Sequence, residues 1–138
     1  MNVLFFLTPK ANCAYLEDDF TVRQALERME HSGYAALPIL RSDGTYCGTL
    51  GEGDLLWAMK NLCDMDIKKA ETHSIMDISH RRDNAPVTAD TRVEDLFSVA
   101  MEQNFVPVVD DRMTFIGIVT RRAILQYCID RYLVGEKV

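Results

Sequence analysis

Leu37-Pro38-Ile39-Leu40 and Cys47-Gly48-Thr49-Leu50 return further along the chain as Val106-Pro107-Val108-Val109 and Ile116-Gly117-Ile118-Val119. The two prolines and the two glycines are each 69 positions apart. Two anchors sharing one offset mark two copies of one unit, and a repeat governs how every other segment is read. Within each copy the quoted runs are short, apolar and rich in branched side chains. They flank Ser42-Asp43-Gly44 in the first copy and Asp110-Asp111-Arg112 in the second. Apolar runs of this length on either side of turn residues read as strands.

Upstream of each strand pair the spacing becomes helical. Val22, Ala25, Leu26 and Met29 fall at i, i+3, i+4 and i+7, and Val93, Leu96, Phe97, Ala100 and Met101 extend the same rule. Thr21-x-x-Gln24 and Thr91-x-x-Glu94 predict a capping box at the start of each helix. Downstream, Leu55, Leu56 and Met59 mark a closing helix, as do Ile124, Tyr127 and Cys128. A short strand is expected before each first helix, near residues 14–16 and 86–89. Each copy is therefore a β-α-β-β-α unit of the α/β class. One unit has too few strands to cover both of its helices. The predicted architecture is two pseudo-symmetric units packed sheet to sheet: residues 1–62, a mixed-charge connector over 63–75, and residues 76–138.

Composition narrows the function. The 138 residues carry a formal net charge of −6, and 48% are apolar. An acidic chain repels phosphate backbones, which argues against sequence-independent nucleic-acid binding. Cys13, Cys47, Cys63 and Cys128 sit in apolar surroundings without a CxxC pair, and read as reduced, mostly buried thiols. The apolar start, residues 1–7, stops at Thr8-Pro9 and lacks a basic leader. It is too short for a signal peptide or a membrane span, so the expectation is a cytoplasmic protein with no membrane insertion. His31, His73 and His80 share no metal-ligand spacing, and no Ser-His-Asp or Cys-His arrangement suggests a nucleophile. The expectation is no metal, no cofactor and no catalytic residue.

Two stretches carry binding chemistry. Thr120-Arg121-Arg122 opens the second closing helix. Thr120 suits an N-cap, and a helix start with two guanidinium groups suits a phosphate. A solvated arginine pair is the alternative. Gly33-Tyr34-Ala35-Ala36 places small side chains at a strand start, where a flat base can lie against the backbone. A turn glycine followed by an edge strand is the alternative there. Asp54 is either a ribose ligand or an acid favoured by its helix start. Gly51-Glu52-Gly53 is not a dinucleotide fingerprint, because the third glycine is missing and Glu52 repels pyrophosphate. Arg81-Arg82 reads as a solvated charge pair, and Trp57 and Met59 as interface packing.

With these residues in view the chain resembles a pair of cystathionine-β-synthase-type (CBS) domains, a Bateman module. Asp19-Phe20-Thr21-Val22, Leu37-Pro38-Ile39 and Gly48-Thr49-Leu50 carry the likeness in the first half. Val106-Pro107-Val108-Val109 and Gly117-Ile118-Val119-Thr120 carry it in the second. A closer resemblance, on residues 33–38, 104–107 and 117–122, is to the small bacterial CBS pairs that bind cyclic di-AMP. That resemblance implies a non-catalytic module sensing an adenine nucleotide, with Cys13, Ala14, Tyr34, Ala35 and Ala36 at the adenine and Thr120, Arg121 and Arg122 at the phosphate. It also implies a flat homodimer and a regulated partner protein. An AMP, ADP or ATP sensor and a ligand-free interaction scaffold stand as alternatives. Gly51 replaces the Ser or Thr common in the family, and Ala123 replaces the common ribose-binding Asp, so the two pockets of the pair are not equivalent.

Overall fold

The computed structural model describes residues 1–79 and 81–134; His80 lies outside them. In chain order the strands and helices are β1 (Thr8–Pro9), β2 (Leu16–Glu17), α1 (Val22–Ser32), β3 (Ala36–Leu40), β4 (Tyr46–Gly51), α2 (Glu52–Asn61), α3 (Ile67–Ala70), α4 (Val93–Glu102), β5 (Phe105–Val109), β6 (Phe115–Thr120) and α5 (Arg121–Cys128). A π-helical turn, Ile129–Val134, follows α5. The chain forms two compact units, one made of residues 14–83 and the other joining residues 1–13 to those from Asn84 onward.

In the first unit β2 runs parallel to β3, and β3 is antiparallel to β4. Helix α1 starts on the predicted capping box. Thr21 Oγ1 accepts the Gln24 amide at 3.2 Å, and Gln24 Oε1 accepts the Thr21 amide at 2.8 Å. The helix stops at Gly33, whose φ of +74° turns the chain while its amide donates to the Met29 carbonyl. Val22, Ala25 and Met29 join Leu37, Ile39, Leu50 and Leu55 in one buried cluster. Each large aliphatic side chain buried there contributes roughly 1.5–3 kcal/mol of transfer free energy. The connector segment joins this core as well, with Cys63, Ala70 and Ile75 fully buried. Met59 is also core, whereas Trp57 is exposed, with the Lys60 ammonium 5.6 Å from its ring centre. Of the two residues expected to pack an interface, one is therefore internal.

The second unit repeats the hairpin closely. The β3–β4 ladder breaks register between Ile39 and Leu40, and the β5–β6 ladder breaks between Val108 and Val109, the positions 69 residues on. Val87 makes a single parallel bridge to Val108, standing in for the short strand expected near it. The second capping box does not form. Arg92 occupies the N-cap of α4 without a side-chain bond, and Thr91 Oγ1 instead accepts the Thr88 amide at 3.1 Å. The first helices of the two copies are related by 71 positions, so Arg92 rather than Thr91 falls where Thr21 stands.

The apolar leader completes this second unit. Val3 and Phe6 are buried among Leu96, Val106 and Val119, and the Phe6 ring meets Phe97 and Tyr127 edge-on at 5.7 and 5.4 Å. Strand β1 lies antiparallel on β6, with Thr8 opposite Ile118 and Pro9 opposite Gly117. A β-carbon at Gly117 would stand 2.2 Å from the Thr8 carbonyl oxygen, and its φ is +156°. Gly48, the matching glycine of the first copy, is covered in the same manner: a β-carbon there would meet Asp83 Oδ1 at 2.6 Å. Asp83 accepts the Thr49 amide and the Arg81 Nε, both at 2.9 Å. Arg81 is therefore largely enclosed, its side chain 15% exposed, rather than a solvated charge.

Gly117→Ala should destabilise the protein by roughly 3 kcal/mol or more, because β1 must move and the backbone is strained as well. Gly33→Ala, where nothing lies within 4 Å of the added atom, should cost only the left-handed backbone, about 1–2 kcal/mol. Urea unfolding of both variants checks the difference; near-equal losses would contradict the seating of β1 on Gly117.

Candidate functional site

The residues proposed from sequence fall into two groups, one in each unit. In the unit of residues 14–83, Ala14 is half-buried against the core. Tyr34 is 52% exposed and lines a groove between α1 and α2 beside Leu26, Glu30 and Glu52. Its amide donates to Ser32 Oγ at 3.2 Å. Ala35 is exposed, and its carbonyl accepts the Glu52 amide at 2.9 Å, tying the end of α1 to the start of α2. Ala36 begins β3 opposite Gly51. Asp54 Oδ2 accepts the Gly51 amide at 2.8 Å, so this carboxylate caps its own helix. With Glu52 and Asp54 in its first turn, α2 presents an acidic start that disfavours an anion.

The other group sits around α5. Thr120 ends β6 and caps α5, its hydroxyl accepting the Ala123 amide at 3.1 Å, as its sequence position predicts. No acidic residue occupies the first turn of α5. Arg122 is exposed, and among the described residues its guanidinium has no ion pair or hydrogen bond. Arg121 differs. Its Nε donates to the Ala100 carbonyl at 2.8 Å, and a terminal nitrogen donates to the Met101 carbonyl at 3.2 Å. It thereby caps the negative end of α4, where a cation is favoured. Five donors on one guanidinium leave capacity for a further acceptor. Cys13 joins this group through β1: its thiol lies 3.4 and 3.3 Å from the carbonyls of Thr8 and Pro9, on the strand that pairs with β6. Burial raises its pKa from the ordinary thiol value against the opposing Ile118 backbone hydrogen bond. A protonated, half-enclosed thiol is a poor nucleophile.

The two helix starts thus share one backbone design and differ in electrostatics. Sequence reasoning anticipates the cap at Thr120 but misses the bonds from Arg121 to α4, because nothing local signals which carbonyls a long side chain will reach. It also misses Asp83 as the acceptor for Thr49. Arg81 and Asp83, two residues apart near the start of the second copy, offer a faint cue as a charge pair.

The family model for the CBS domain matches residues 7–61 and 75–130. Among solved structures, CbpB from Listeria monocytogenes in complex with c-di-AMP aligns at a TM-score of 0.83 and 22% identity, covering 95% of this chain and 96% of that one. A CBS domain protein from Streptococcus pneumoniae aligns at 0.83 and 26% identity, covering 94% and 88%. CBSX2 in complex with AMP aligns at 0.76 and 26% identity, covering 94% and 96%. No curated protein matches the sequence.

Replacing Arg121 by Ala removes two hydrogen bonds from the end of α4 and should lower stability by about 1–2 kcal/mol. Arg122→Ala should stay within about 0.5 kcal/mol of wild type. Urea denaturation of the two variants measures the contrast.

Proposed function

The chain belongs to the CBS domain family, and from that premise we propose that it is a non-catalytic sensor of an adenine nucleotide, cyclic di-AMP foremost, that works as a homodimer. The observation that carries the reading is the start of α5. A capped helix end without acids in its first turn, flanked by an Arg122 that has no partner among the described residues and by an Arg121 with donors to spare, is suited to a phosphate. The fold likeness to a CbpB crystallised with c-di-AMP and the 26% identity with a CBSX2 crystallised with AMP support the ligand class. In this reading Thr120, Arg121 and Arg122 hold phosphate, while Cys13, Ala14, Tyr34, Ala35 and Ala36 hold adenine. Output passes to a partner protein: if the nucleotide alters the affinity for that partner, the partner alters the affinity for the nucleotide by the same factor. Among the described residues no helix is long and apolar enough to cross a membrane.

A mononucleotide sensor is the second reading, favoured by the AMP complex of CBSX2.

Calorimetric titration with cyclic di-AMP, AMP, ADP and ATP tests both readings. Cyclic di-AMP should bind at sub-micromolar Kd, and Arg122→Ala should weaken it at least about tenfold, equivalent to about 1.4 kcal/mol. Tighter binding of AMP, ADP or ATP would transfer the assignment to the second reading. Absence of binding by all four at about 100 μM, where a matching Kd corresponds to about −5.5 kcal/mol, would end both and leave an interaction scaffold.

A further inference from the structure

The two units carry different chemistry at one set of matching places. Leu16 lies opposite Ile39 in the first unit, and Val87 lies opposite Val108 in the second, 71 and 69 positions further on. Counting back from these pairs, Ala14 matches Ala85, and Cys13 matches Asn84. Tyr34 and Ala35 match Gln103 and Asn104, just ahead of β3 and β5. Where the first copy has a thiol, a phenol and a methyl group, the second has three side-chain amides.

Those amides close on the backbone around them. Gln103 Oε1 accepts the Ala85 amide at 2.6 Å, and Gln103 Nε2 donates to the Ala85 carbonyl at 3.1 Å. One side chain thereby takes up both hydrogen-bonding groups of the Ala85 backbone. Nε2 also donates to the Phe105 carbonyl at 3.2 Å. Asn84, only 9% exposed, donates from Nδ2 to Asn104 Oδ1 and to the Phe105 carbonyl, both at 3.1 Å. The matching backbone of the first unit is open. Among the described residues the Ala14 amide and carbonyl have no hydrogen bond, and Tyr34 lines the groove between α1 and α2 instead.

An adenine edge offers an N–H donor beside an acceptor. A carboxamide offers the same pair, so Gln103 meets Ala85 as an adenine edge would. We infer that Gln103 is a built-in substitute for a base in the second unit, so that the chain takes up adenine through the first unit alone. The inference rests on the adenine reading of Ala14 and Tyr34 to Ala36 given above, and adds to it the residue that sets how many bases are held. Gln103 acts by keeping a second base out.

Site-resolved NMR and equilibrium dialysis of the full chain, with AMP as the probe, test it. In wild type, AMP should shift the amide signals of Ala14 and Ala36 and leave those of Ala85 and Phe105 in place. Gln103→Ala removes the substitute. Gln103→Glu keeps its size but sets a carboxylate against the Ala85 and Phe105 carbonyls, which drives the side chain out; it serves if the alanine variant folds poorly. In either variant the Ala85 amide should exchange with solvent at least about tenfold faster. AMP should then shift Ala85 and Phe105 at a Kd of about 1 mM or tighter, and the AMP bound per chain should rise from one to two. A Gln103 that merely ties two segments together would leave the bound AMP unchanged however much stability is lost. That result overturns the inference, as does a wild-type Ala85 signal that moves with AMP. Failure of the adenine reading looks different: Ala14 and Ala36 stay still in wild type, while Ala85 still responds to AMP in the variants. Silence at all four amides in every protein ends both.

Discussion

The absence of a side chain at two points, Gly48 and Gly117, governs how the hairpin edges are covered. Each glycine lies on the last strand of its hairpin, and each is covered by chain from outside that hairpin: Asp83 over Gly48, Thr8 over Gly117. An edge strand left open presents unpaired amides and carbonyls that invite pairing with another chain. Here β1 takes up that edge on β6, and the Asp83 carboxylate satisfies one amide on β4. The start of each closing helix follows directly from these strands, at Glu52 after β4 and at Arg121 after β6. Fixing the strand therefore fixes where the helix start points, and with it the groups available to an anion.

Much of this is legible in the residues. The duplicated Pro and Gly positions report two hairpins, and the common register break at Ile39/Leu40 and Val108/Val109 shows that the duplication extends to backbone detail. The Thr21 capping box and the Thr120 cap are readable because both rest on contacts three residues apart. Long-range features are not. The leader's apolar residues announce burial but not which sheet they join, since periodicity within a segment carries no address. Arg81 reads as solvated because its carboxylate partner acquires meaning only once Gly48 leaves room for it. The Thr91 box fails by a single residue, a difference in spacing between the copies that leaves the hydrophobic pattern intact.

Duplication followed by divergence of charge gives the chain two versions of one helix start. At α2 an acid caps its own amide and a second acid stands beside it; at α5 a neutral hydroxyl caps and two guanidinium groups follow. Backbone geometry is common to both, so side-chain charge alone separates a start that disfavours anions from one that favours them.

The leader's position also sets an order of events during synthesis. Residues 14–83 form a continuous unit, so all of its internal contacts can be made once Asp83 has emerged. Thr8 must wait for Ile118, 110 residues later, before β1 has a strand to pair with. Non-local pairing of this kind slows folding, and the waiting segment is apolar. Until the strands around Val106 and Val119 have been made, Val3 and Phe6 have no second-unit core to enter, so an apolar stretch stays uncovered while more than a hundred residues are added.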